Sequence, residues 1–371
     1  MNRRTFLKTT TALSGLATLS GWPAGGSPAH AQDKTFDPRP GNWRTFEVTH
    51  RIEVQWPKGV TRAWLPVPSV NTEYQQVLDN RWSGNARTAQ LLTEPKYRAV
   101  ILSAEFAKGE QNPALEMVSR FKTQDRAVDW ARKGPVKEDP AALAFWTQPT
   151  ELLPTDGIVR DTALTITKGA SGDVEKARAL YDWVVNNAYR EPKVRGCGVG
   201  DVRTMLETKS FGGKCADINA LFVALARAAG LPARDIYGVR VAASAFGYKA
   251  LGTGSPNVTR AQHCRADVFL REYGWVAMDP ADVAKVAREE TSEWLKVDHP
   301  LVKTVRPKLF GSWEGNWLAY NMAHDVTLPN ATVKSKLGFL MYPQGESDEG
   351  RFDPYDPDNF KYTITAREIS A

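Results

Sequence analysis

The chain is 371 residues long and carries 48 basic and 42 acidic residues, a formal net charge of +6. That length accommodates two or three domains, and three cysteines do not make a disulfide scaffold. Nucleic-acid binding is excluded as well. The first 31 residues hold Arg3, Arg4 and Lys8 and no acidic residue, so the remainder has 45 basic against 42 acidic residues, a net +3 with no dense basic run.

Residues 1–31 read as a twin-arginine export signal. Arg3-Arg4 precedes Phe6-Leu7-Lys8, a mildly apolar run covers 9–19, and Ala29-His30-Ala31 is an A-x-A cleavage site. Ser14, Gly15 and Thr18 interrupt the apolar run, which is too short for a retained membrane span. No later stretch approaches about 18 apolar residues. The expectation is a mature chain from Gln32, soluble and periplasmic or secreted. In an oxidising compartment an odd cysteine count leaves a free thiol or an interchain pair. Cys215 is the candidate free thiol, with Cys197 and Cys264 either bridged or a buried reduced pair.

Residues 43–56 alternate, with Phe46, Val48, His50, Ile52, Val54 and Trp56 on one face, and predict a half-buried strand. His50 is on the apolar face and reads as a core or rim histidine. Further strand-like runs lie at 99–106 and 116–123. No helix-period segment precedes residue 130, so 35–130 is expected to be an all-β, sandwich-like domain. Prolines and charge mark 131–157 as a linker with a short helix near 141–145. Helices are expected near 161–168, over 173–188 and at 201–207. Gly196-Cys197-Gly198-Val199-Gly200 has glycines at dinucleotide-loop spacing, but no clear strand precedes it, so it reads as a plain loop.

Gly212-Gly213 then makes a turn into a helix from Cys215, whose Ile218, Leu221, Phe222, Leu225 and Ala229 share one face and which Gly230 and Pro232 stop. A thiol at a helix N-terminus is acidified by the macrodipole and the free N–H groups. A strand is expected at 235–242, then a Gly- and Ser-rich mobile loop over 243–260. Residues 262–270 and 275–279 form a hairpin turning at 271–274. Its ends return together, bringing Asp279 within reach of His263. The final strand alternates Phe360, Tyr362, Ile364 and Ala366, after an Asp353, Asp356, Asp358 cluster that reads as a solvated turn.

Cysteine catalysis needs a nucleophile, a base and a group that orients the base. Cys215, His263 and Asp279 supply these in order. His263 would hold the thiolate as an ion pair and protonate the leaving amine; Asp279 would support the imidazolium. The Cys215 N–H would donate to the oxyanion, with a side-chain donor left unassigned. No H-E-x-x-H, C-x-x-C or G-x-S-x-G occurs, which leaves zinc and serine chemistry unsupported.

Several separated motifs now agree in order: Gly213-Lys214-Cys215-Ala216-Asp217, Arg227-Ala228-Ala229-Gly230-Leu231-Pro232, His263, Asp267-Val268-Phe269-Leu270 and Gly274-Trp275-Val276-Ala277-Met278-Asp279-Pro280. Over about residues 160–285 the chain resembles the bacterial transglutaminase-like superfamily. The resemblance implies an α+β, papain-like core over 158–300 with Cys215, His263 and Asp279 as its triad, followed by a β-rich extension over 301–371. It departs from the family pattern at Arg265, where an aromatic is frequent, and at Asp267, where glutamate is usual. Both share a strand face with His263, so Arg265 and Asp267, with Gly213, are expected at the substrate cleft. The function expected is an exported cysteine enzyme acting on amide bonds of proteins or peptides through a thioester, with water or an amine as acceptor and no cofactor or metal. The alternative is a non-catalytic binding module that keeps the fold. The oligomeric state stays open.

Overall fold

The computed structural model describes residues 34–370 except 56, 357 and 359, all within one compact unit. The expected export signal and Trp56 lie outside the described residues. In chain order the strands are β1 (Arg44–Val54), β2 (Arg62–Val67), β3 (Gln75–Gly84), β4 (Thr88–Thr93), β5 (Val100–Glu105) and β6 (Ala114–Thr123). Helices α1 (Pro140–Phe145), α2 (Gly157–Ile166), α3 (Asp173–Asn187), α4 (Val202–Thr208) and α5 (Cys215–Ala228) follow. Then come β7 (Ala233–Arg240), β8 (Gln262–Leu270), β9 (Gly274–Met278), α6 (Pro280–Glu289), α7 (Pro300–Val305), β10 (Trp317–Asn321), β11 (Gln344–Ser347) and β12 (Phe360–Ser370).

The alternation of β1 makes one face apolar. Phe46, Val48, Ile52 and Val54 are buried while Arg51 is exposed. That face closes a sandwich. One antiparallel sheet runs β12-β1-β6-β3, and the other runs from Gly350–Arg351 through β11, β2 and β5 to β4. Ile52, Val54 and Met117 of the first sheet share an apolar cluster with Leu65, Val67 and Leu102 of the second. Both sheets recruit C-terminal strands: Val48 pairs with Ala366 and Trp64 with Gln344. Residues after 300 are therefore distributed over both layers of the sandwich and, through β10, over the next sheet as well. No period marked β3 and β4 in the sequence, because Leu78, Trp82 and Leu91 are exposed on them and the polar residues do not alternate cleanly.

The second assembly is an antiparallel sheet in the order β9-β8-β7-β10 with α5 packed on it. α2, α3, α4 and α6 pack on α5 as well. Every residue from Cys215 to Arg227 is consequently buried. The one-faced helix that the spacing suggests is an all-round core helix, and its polar members Asp217, Asn219 and Arg227 must find partners inside. The hairpin register aligns Leu270 with Gly274 and Ala266 with Met278. The 243–260 segment is pinned at several points: Tyr248, Leu251 and Val258 are buried, and Val258 N donates to Ile364 O at 2.8 Å.

Candidate active site

Cys215 is the first residue of α5, after Lys214 in extended conformation. Asp217, two residues further, fastens this helix start. Its carboxylate accepts from Lys214 N (2.9 Å), Val199 N (2.9 Å) and Gly200 N (2.8 Å). A Cβ on Gly198, where φ is +93°, would fall 1.8 Å from Asp217 Oδ2, and one on Gly213 would fall 2.5 Å from Asp217 Cβ. Gly198 and Gly200 are thus the cradle of a carboxylate, not of a phosphate. Gly213 is a packing residue for the same group and does not line the cleft.

β8 begins beside this helix start. Asn219, one turn after Cys215, donates through Nδ2 to Cys264 O at 2.8 Å and approaches Asp279 Oδ1 at 3.4 Å. Trp317 Nε1 donates to His263 O at 3.0 Å. His263 is thereby held between α5 and β10, and its Nε2 lies 2.8 Å from Asp279 Oδ2. With Nε2 so engaged, Nδ1 is the nitrogen left to face the Cys215 thiol, which the imidazole helps to acidify. Asp279 also N-caps α6, its Oδ1 accepting from Asp282 N at 3.0 Å.

A second carboxylate reaches the same imidazole: Asp282 Oδ1 lies 3.3 Å from His263 Nε2. Arg240 donates through Nη2 to the same oxygen of Asp282. Arg265 Nε stands 3.6 Å from Asp279 Oδ2 while its Nη1 donates to Glu314 O, and its guanidinium lies over Trp313 and Trp317. All of these groups are buried. With one arginine for each aspartate these four charges cancel, and a thiolate paired with an imidazolium leaves that balance intact.

The titration behaviour follows. Burial pushes the Cys215 thiol up, but hydrogen bonds from Cys197, Cys264 and His263, with the imidazolium charge, hold it well below the usual thiol range. Burial pulls His263 down; the Asp282 charge, opposed by Arg240, and then the Asp279 charge and hydrogen bond raise it above its ordinary value. Burial raises Asp279, with the nearby Asp282 adding to it. Asp282 is held well below the carboxylate range because Arg240, His263 and Arg265 outweigh its burial. The remaining thiols, Cys197 and Cys264, meet Cys215 and are pushed up; all three are free.

A cleft of about 990 Å³ opens on Cys215 and His263. Arg265 and Asp267 are absent from its lining. Asp267 binds Arg234 at 2.7 Å and Arg126 at 3.0 Å. The physical reason is that β8 is buried on both faces from His263 onward, so the residues sharing a face with His263 run into the interior, away from the mouth. The sequence reading assigned no role to Asn219, Asp282 or Arg240. Asn219 had a signal, a polar residue one turn after the nucleophile on a buried face. Asp282 had another: Asp279-Pro280-Ala281-Asp282 is a helix-start pattern. Arg240, at a strand end, had none.

A model of the transglutaminase-like superfamily matches residues 160–280. An uncharacterized protein of Haemophilus influenzae is 35% identical over 342 residues, covering 87% of this chain and 91% of that one. Among solved structures, the "Putative Cysteine Protease from Cytophaga hutchinsonii" aligns with a TM-score of 0.51 at 17% identity, over 88% of this chain and 99% of that chain, a likeness of fold. The periplasmic domain of TgpA from Pseudomonas aeruginosa aligns over 64% of this chain and 89% of that chain, at 18% identity and a TM-score of 0.32.

Proposed function

This chain belongs to the transglutaminase-like superfamily, and from that premise we propose that it is an exported cysteine enzyme that cleaves or transfers amide bonds of proteins or peptides. The observation that carries this reading is the thiol of Cys215 at a helix start, lining one cleft with an imidazole that Asp279 holds at 2.8 Å. Cys215 attacks the carbonyl as the thiolate, His263 protonates the leaving amine, and a thioester remains. Asp279 keeps the imidazole in place. The N–H of Cys215 donates to the oxyanion. For the side-chain donor we assign Gln262, a residue of the cleft wall whose Nε2 has no hydrogen-bond partner. The cleft is wide enough for water to reach the thioester, which favours hydrolysis over transfer. The catalytic unit in this reading is built on 158–300, with β10 and part of the cleft wall added from residues after 300, and 1–31 is the twin-arginine signal that delivers the chain to the periplasm or the medium.

The test is alkylation of the mature protein by iodoacetamide between pH 4 and 9, with the labelled residue identified by mass spectrometry. Cys215 is expected to react first, with a titration well below pH 8. His263→Ala moves that titration up toward the free-thiol value of about 8.5. An ordinary titration at Cys215, or labelling at Cys197 or Cys264 alone, overturns the reading in favour of a binding module.

A further inference from the structure

The cleft in front of Cys215 is lined by cations and, among the described residues, by no carboxylate. Lys214 immediately precedes the nucleophile, Arg260 lies just before β8, and Lys361 is on β12. Arg190 and Lys285 complete the set, while Arg240, also in the wall, is bound to Asp282. Counter-charges are fewer than cations. One carboxylate, Glu289, serves both Arg190 and Lys285, the latter at 3.5 Å. Lys361 Nζ stands 3.6 Å from Glu53 Oε2. Lys214 and Arg260 have no carboxylate partner among the described residues.

This excess is local, because the chain without its first 31 residues carries only +3. Part of it is withdrawn from water: the Lys285 side chain is 18% exposed and that of Arg190 15%, while Arg260 and Lys361 are exposed at the rim. Cations that have lost part of their water, share one counter-ion and face a cleft gain most when an anion enters it. They come from five separate segments of the chain and do not converge on one helix end or one nest of N–H groups. That arrangement suits several carboxylates carried along a chain, not one compact polyanion. Tyr342, Tyr355 and Tyr362 line the same cleft and give the aliphatic parts of such a chain apolar surface.

We propose that the substrate of this site is a carboxylate-rich peptide, with aspartyl, glutamyl or terminal carboxylates within a few residues of the scissile amide. The inference rests on the cysteine chemistry proposed above, and the test separates the two. Cys215 is alkylated with iodoacetate and with iodoacetamide, which differ by one negative charge, and the ratio of their rates is compared with that for a simple free thiol. Taking the ratio cancels changes in the reactivity of the thiol itself. The ratio is expected to exceed the free-thiol value about fivefold at low ionic strength and to fall toward that value at about 1 M salt. Lys214→Gln combined with Arg260→Gln should remove at least half of the excess. Lys133→Gln, which breaks a pair with Glu272 outside the cleft, should leave it intact. In a second arm, peptides matched except for Glu or Gln beside the scissile bond are compared, and kcat/KM is expected to favour Glu about tenfold. Fast iodoacetamide labelling without an iodoacetate preference, together with equal use of Glu and Gln peptides, overturns this inference and leaves the cysteine chemistry standing. Slow labelling of Cys215 by both reagents overturns the chemistry and the inference with it.

Discussion

Asp282 Oδ1 lies 3.3 Å from His263 Nε2, so the imidazole faces a second carboxylate beyond the one at 2.8 Å from Asp279. Asp282 is one helical turn after Asp279 on α6, and the Asp279 side chain caps the turn that places it. We read Asp282 as a positioning residue: it stabilises the charged imidazole electrostatically and anchors Arg240.

Removing that anion should lower the imidazolium pKa, since the charged form loses a partner. Asp282→Asn alone would strand the buried Arg240 guanidinium, at about 3–5 kcal/mol. The informative protein is therefore Asp282→Asn with Arg240→Gln. Its alkylation profile at Cys215 should lose the thiolate–imidazolium plateau on the alkaline side earlier than the parent, because the lost Asp282 charge outweighs the lost opposition of Arg240, with activity down about tenfold. An unmoved profile would mean that Asp282 has no net electrostatic effect on His263 beyond offsetting Arg240.

Asn219 ties α5 to the start of β8 and to Asp279. Asn219→Ala leaves Cys264 O without its donor in a buried site and should lower stability by about 1–3 kcal/mol in urea unfolding. Asn219→Asp should be worse, because it sets another carboxylate beside Asp279. A variant as stable as the parent would remove Asn219 from the account of how the site is held.

Gly198 and Gly230 both have positive φ, +93° and +84°, but only Gly198 faces a neighbour, Asp217 Oδ2, at 1.8 Å from an added Cβ. Gly230→Ala should therefore show conformational strain alone, about 1 kcal/mol. Gly198→Ala should add a clash that displaces Asp217, lowering Tm further and slowing alkylation of Cys215. Equal effects of the two substitutions would contradict the cradle described for Asp217.

His50 is fully buried in the sandwich, its Nε2 2.7 Å from Tyr320 Oη, and burial lowers its pKa to about 3. The unfolded chain protonates His50 below about pH 6.5 while the folded chain does not. Folded stability through this group is therefore complete above pH 6.5 and is lost as pH falls toward 3. His50→Gln removes the titration. Between pH 7 and pH 5 the parent should lose about 2 kcal/mol more stability than the variant. Parallel stability curves would show that His50 is not held neutral.

Local periodicity made much of this fold legible. Strand β1 alternates cleanly because one face is buried and the other wet, and α5 announces itself by a glycine turn, apolar spacing and a Gly-Pro stop. The thiol at a helix start and the hairpin joining His263 to Asp279 needed nothing beyond that, since hairpin register brings strand ends together by counting. Where both faces of an element are covered, or where exposed apolar residues break the pattern, periodicity says little. β8 hides Arg265 and Asp267 behind the site, and β3 and β4 carry no legible alternation.

The order of Cys215, His263 and Asp279 along the chain was thus determined by the sequence by itself, together with the local structures that present them. Only the tertiary structure decided which charges surround them. Arg240 comes from the end of β7, Asp282 from the next turn of α6, and Lys361 from a strand nearly a hundred residues after His263. Coulomb interactions act through space at a few ångströms, whereas sequence patterns report neighbours within a turn or a strand. A charge cluster assembled from distant segments therefore leaves no period to read.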